Sequence, residues 1–146
     1  MIELACALPT DEKHINLTNM DSTTNALNWF EIAALDLDRA QKFYETVFGI
    51  KMDAMDMPGL SMRGFPSAAM SGKAGGALAK SDMHKPSKEG ALIYLNANPD
   101  LSDALGRVEK AGGKVKMPKT RISDDIGYMA FFDDTEGNTV AMHSQK

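Results

Sequence analysis

A chain of 146 residues with 43% apolar side chains is long enough to bury a core as one ordinary domain, or as two small modules that share one. A formal charge of −4, with Lys and Arg scattered rather than striped, excludes a surface built to track phosphates, so nucleic acid is not an expected partner. Cys6 is the single cysteine; this excludes an intrachain disulfide and the paired-cysteine zinc patterns, and fits a reducing, cytoplasmic setting.

No apolar run approaches the roughly 18 residues that cross a bilayer, and Glu3 stands where a secretory leader would be positive. The expectation is a soluble chain with no membrane partner. Residues 1–24 hold one short apolar piece and then a polar stretch ending in DSTT, and read as an N-terminal extension, either an edge strand or a flexible arm. From residue 28 the pattern sharpens. Residues 29–33 alternate as a strand does. After Asp36 the spacing changes to about 3.6, with Leu37, Ala40, Phe43, Tyr44, Val47 and Phe48 on one helical face. Asp36 can cap that helix, Asp38 suits its positive end, and Gly49 can supply a left-handed stop.

The pattern of residues 36–49 returns at 100–113, where Asp100, Leu101, Ala104, Glu109 and Gly113 match Asp36, Leu37, Ala40, Glu45 and Gly49. Gly106 inside the second copy costs about 1 kcal/mol relative to alanine, so packing must hold that helix. Each helix follows a strand, at 29–33 and 91–96, and precedes a short one, at 51–55 and 114–117. Further strands are expected at 60–65, 75–79, 128–132 and 139–143. The segment 80–90 reads as a mobile loop at the module boundary, 118–127 as a polar loop, and DDTEGN at 133–138 as a hairpin turn closed by Gly137. This gives two βαβββ modules, at about 25–85 and 90–144, within one unit at 25–144.

The order W-F-E-I, then D-L-D-R-A-x-x-F-Y-x-x-V-F-G, resembles the opening module of the vicinal oxygen chelate superfamily, which includes glyoxalase I, bleomycin-resistance proteins and extradiol dioxygenases. The closing G-Y-M-A-F-F-D-D-T-E-G-N-T-V-A-M-H-S resembles the same family, with G-G-A-L and A-G-G-K-V between them in the expected order. The likeness is to its single-domain glyoxalase-like members. It implies an α+β fold in which the two modules pair into a curled mixed sheet with helices outside and the active site on the concave face. Metal-using members take His, Gln or Glu ligands from the first and last strands of each module. The matched positions here are Trp29, Ala141 and the Ala-Leu-Ile run at 91–93, and 75–79 holds no acid. No cofactor is therefore expected, and a divalent metal only if the strands are misaligned.

Alternation places Glu31 beside Trp29, and His143 on the same side as Ala141. A carboxylate beside an indole in an apolar cup would have its charged form disfavoured, which makes Glu31 a candidate general base and His143 a candidate acid. A salt bridge from Glu31 to an Arg or Lys at the module boundary is the structural alternative. Trp29, Tyr94, Met129, Phe131 and Ala141 are the candidate ligand-binding wall. Met52, Met55, Met57, Met62 and Met70 could line a pocket or fill core. The pairs Asp124–Asp125 and Asp133–Asp134 lie in turns without calcium-loop spacing, and His14 and His84 lack a second histidine at ligand spacing. Dinucleotide, P-loop and G-x-S-x-G motifs are absent. The first expectation is a metal-free homodimer that binds a small, partly apolar molecule in the cup. The alternative is a lyase, isomerase or dioxygenase-type enzyme of the same superfamily, metal-dependent or using Glu31 as base. A third reading is an interaction domain whose cup is filled by its own side chains.

Overall fold

The computed structural model describes residues 20–67 and 72–146, so most of the expected N-terminal extension, with Cys6 and His14, and Met70 lie outside the described residues. The elements run β1 (Trp29–Ala33), α1 (Leu37–Phe48), β2 (Asp53–Met57), β3 (Leu60–Gly64), β4 (Gly75–Lys80), β5 (Tyr94–Asn96), α2 (Ser102–Arg107), β6 (Lys114–Ser123), β7 (Gly127–Asp133) and β8 (Thr139–Ser144). This is βαβββ twice. Each module makes its own four-stranded sheet, ordered β1-β4-β3-β2 and β5-β8-β7-β6, with the first strand parallel to the last and the other pairs antiparallel.

Local chemistry accounts for α1. Asp36 sits in extended conformation at its N-cap and accepts the Arg39 N–H at 3.0 Å, which holds the Asp36 carboxyl below its usual range. Gly49 closes the other end at φ 65°, donating its N–H to the Glu45 carbonyl. The second helix departs from the repeat, ending at Arg107 after six residues rather than running to 113. Asp100 accepts from the Ser102 N–H, but Leu101, at the cap position, gives no side-chain cap. Packing holds α2 instead: Leu101, Ala104 and Val108 are buried, and Arg107 Nε donates to the Val47 carbonyl of α1 at 2.8 Å.

Two further strand expectations are corrected. Residues 118–123 form no loop; β6 continues through Pro118, whose missing N–H falls at a register shift between Met117 and Thr120, where the ladder is already interrupted. β5 begins at Tyr94 rather than 91. Nor is the module boundary untethered. Ser87 exchanges hydrogen bonds with the 138–139 backbone and side chain, and Lys88 pairs with Asp133 at 3.1 Å.

One core joins the modules. It gathers Ile32 and Leu78 from the first sheet, Ala34 just after β1, Leu95, Ala130, Phe132, Val140 and Met142 from the second sheet, and the apolar stripes of both helices. Phe132 of β7 lies 5.9 Å from Phe43 and 6.3 Å from Phe48 of α1, ring centre to ring centre. The 133–138 turn, with Gly137 at φ 99°, locks onto the start of α1. The Asp134 carboxylate accepts from the Tyr44 hydroxyl at 2.7 Å and from the Glu136 and Asn138 backbone N–H groups. Glu136 Oε1 accepts the Leu35 and Asp36 N–H groups at 2.9 and 2.7 Å, and Oε2 accepts from Arg39 Nε at 2.7 Å. Burial opposes ionisation of Glu136, yet these donors outweigh it and hold its carboxyl below the usual range. Because it is the helix-bearing sides that meet in this core, strand alternation turns the opposite, inner face of each sheet away from it.

Candidate functional site

The inner face of the first module carries Trp29 and Glu31 on β1, level with Gly75 and Ala77 of β4. Beside them Met62, Ala77 and Ala79 form a small buried apolar patch. Glu31 is not left in an apolar cup. The Trp29 indole N–H donates to its Oε1 at 3.2 Å, and Oε2 lies 2.6 Å from His84 Nε2. The His84 hydrogen bond holds the Glu31 carboxyl below its usual range, so the expected suppression of its charged form is corrected, and its partner is an imidazole rather than an Arg or Lys. On the far side of the ring, Nδ1 lies 2.6 Å from Ser81 Oγ, which also accepts the Met83 N–H at 3.1 Å. An imidazole held between a carboxylate and a hydroxyl can pass a proton between them, and here it also fastens the 81–89 segment across the sheet.

The inner face of the second module is of a different kind. Its cross-strand rows read Tyr94–Ala141–Phe131–Met117 and Asn96–His143–Met129–Thr120. The Tyr94 and Phe131 rings meet edge to face at 6.0 Å, and the Tyr94 hydroxyl points at the Met129 sulfur, 3.9 Å away. A groove of about 490 Å³ runs between Tyr94, Asn96, Ile122, Ile126, Met129 and His143. The His143 Nε2 contacts the Ile126 carbonyl at 2.7 Å, which ties the strand end to the β6–β7 turn.

The structure thus groups the expected residues into two sets, Trp29 with Glu31, and Tyr94, Met129, Phe131, Ala141 and His143 together. Among the described residues no hydrogen bond, ion pair or ring contact joins the sets, and Trp29 and Tyr94 are 40% and 48% exposed. Sequence reasoning passed over His84, which sits in a loop where no periodicity betrays which strand it will reach. It also passed over Asn96, although its place two residues after Tyr94 signals the same face. The methionines do not form one lining: Met52 and Met62 are buried, Met55 and Met57 exposed.

The donor set does not fit the metal that the resemblance implies. Glu31 and His84 give one carboxylate and one imidazole, whereas a divalent site takes about four or more N, O or S donors. Trp29, Ala77 and Ala141 fill inward positions with groups that do not ligate, and no cluster of three His, Cys, Asp or Glu occurs among the described residues.

Comparison with known proteins agrees with this architecture. The sequence model of the Glyoxalase/Bleomycin resistance protein/Dioxygenase superfamily matches residues 26–142. A glyoxylase-like domain-containing protein of Didymella fabae is 33% identical over 119 residues, covering 80% of this chain and 91% of that protein. Among solved structures, glyoxalase I of Zea mays aligns with a TM-score of 0.63 at 22% identity, over 80% of this chain but 45% of its own length, so this chain spans about half of that enzyme. TnmS3, an antibiotic binding protein from Streptomyces sp. CB03234, aligns with a TM-score of 0.59 at 16% identity, over 86% of this chain and all of its own. With the match spanning both βαβββ modules, the chain belongs to the glyoxalase/bleomycin resistance protein/dioxygenase superfamily.

Proposed function

We propose that this protein binds a small, partly apolar molecule on the inner faces of its sheets, without a divalent metal, as a homodimer in the cytoplasm. The observation that carries the reading is the second inner face, where an aromatic and thioether wall borders a groove of about 490 Å³. That volume falls within the range of about 300–1,000 Å³ typical of ligand sites, and it speaks against a cup filled by its own side chains. The likeness to TnmS3 adds a member of the same fold described as antibiotic binding. Dimerisation is supported by the two inner faces turning away from the shared core, where a second copy would enclose them. No helix among the described residues is long and apolar enough to cross a membrane.

The test pairs elemental analysis of protein purified without chelators with thermal unfolding across a panel of neutral aromatic compounds. The expected result is far less than one Fe, Mn, Ni or Zn per chain, with a rise in Tm for part of the panel; a ligand at 100 times its Kd adds about 2.7 kcal/mol. One tightly bound ion per chain, lost when an inner-face residue is changed, would overturn the metal-free reading. A panel without a single stabilising compound would overturn the binding reading.

A further inference from the structure

The polar atoms of the second groove have a definite donor and acceptor pattern. A carbonyl oxygen only accepts, so the 2.7 Å contact with Ile126 places the hydrogen of His143 on Nε2. In the neutral ring Nδ1 is then a bare acceptor, and it has no partner among the described residues. Asn96 Oδ1 accepts the Asn98 N–H at 3.0 Å, and Asn98 Oδ1 accepts the Gln145 N–H at 2.8 Å. Both amides are thereby fixed in orientation, and both NH₂ ends remain without a protein partner among the described residues. Asn96, Asn98 and His143 line the same groove as Tyr94, Ile122, Ile126 and Met129, and no Lys, Arg, Asp or Glu joins them.

From this pattern we infer that the second inner face selects a neutral, flat, largely apolar molecule bearing a carbonyl next to an N–H or hydroxyl, its carbonyl taken by the Asn96 and Asn98 amides and its hydrogen by His143 Nδ1. The inference rests on the binding reading above and deepens it. The apolar body lies against Tyr94, Met129 and the two isoleucines. A carboxylate finds no cation in the groove to replace its water, so charged analogues are rejected. The carbonyl and its neighbouring donor meet two NH₂ groups and one ring nitrogen, and a molecule lacking them leaves those groups facing apolar surface.

The probe is 2-quinolone, a neutral flat lactam, titrated by ligand-observed NMR into the full chain beside N-methyl-2-quinolone, quinoline-2-carboxylate and naphthalene. The expected order is 2-quinolone tightest, the N-methyl compound at least about threefold weaker, and naphthalene and the carboxylate at least about tenfold weaker. The side-chain NH₂ resonances of Asn96 and Asn98 should shift with 2-quinolone and not with naphthalene. Asn96→Asp and Asn98→Asp each keep the oxygen that accepts the backbone N–H and lose the NH₂ donors. Each should bring 2-quinolone to within about threefold of naphthalene while a thermal melt stays cooperative. Equal binding of 2-quinolone and naphthalene, or a preference untouched by both variants, would overturn this inference and leave inner-face binding standing. Absence of binding by all four compounds would overturn both.

Discussion

The two modules share an order of elements and differ in what holds them and what they display. The first has a 12-residue helix with a side-chain cap and a left-handed glycine stop, and its inner face presents a carboxylate tied to an imidazole. The second has a six-residue helix without a side-chain cap, and its inner face is phenol, phenyl and thioether around a groove. One half is therefore specified largely by its own sequence, and the other by what it packs against. The half with the weaker local signals carries the groove on which the proposed binding rests, so that this face would draw its rigidity from the shared core.

The strongest way to break the comparison is to remove what joins the halves. Phe132→Ala empties a buried site ringed by Phe43, Tyr44 and Phe48 and should cost about 3–5 kcal/mol in chemical denaturation. Unfolding should remain one transition, and hydrogen exchange in α1 and α2 should accelerate together. If only α2 loosens, the modules are separable.

Next in size, Glu136→Ala strips acceptors from the Leu35 and Asp36 N–H groups and from Arg39, which is half-exposed, and should cost about 2–3 kcal/mol. Because the folded-state carboxyl lies below its ordinary value of 4.5, its contribution is complete above that pH and is lost as pH falls through the lowered value. The wild-type stability curve should therefore drop more steeply than that of the variant on acidification below about pH 4.5.

The same substitution should act with opposite sign in the two helices. Gly49→Ala forces a side chain into left-handed backbone and should cost about 1 kcal/mol, whereas Gly106→Ala, facing open space inside α2, should stabilise by about 0.5–1 kcal/mol. Equal signs would show that α2 owes its shortness to something other than its glycine.

Smallest in energy is Glu31→Gln. The pair with His84 is partly exposed, so the stability change should stay within about 1 kcal/mol. The emission of Trp29, the only tryptophan, should nevertheless report it. In the wild type it should change as pH falls below the ordinary glutamate value of 4.5 and through the lowered one, and in the variant that step should vanish.

The first helix was legible because Asp36 and Gly49 mark its ends within the helix's own sequence, and β1 because Trp29 to Ala33 alternate. The second helix was overextended because the match of Gly113 to Gly49 concerns residue identity, while Gly106 and the uncapped start weaken propagation. Pro118 read as a loop because a proline in a ladder is unfavourable until the partner strand is known to skip that position. Period two put Glu31 on the face of Trp29 and His143 on that of Ala141, and the strand registers agree with those shared faces. Glu31's environment was misjudged because its partner lies 53 positions away in a loop, and no local pattern encodes that encounter.

The carboxylate of Glu136 completes the start of α1 from 101 residues downstream. During synthesis the N-terminal half leaves the ribosome first, so Leu35 and Asp36 must keep their N–H groups on water until the last hairpin emerges. A nascent chain stalled before residue 133 would hold its first helix without the latch and with Phe43, Tyr44 and Phe48 lacking the Phe132 ring. A chain released at that point would offer those three rings to other chains before its own last hairpin could cover them.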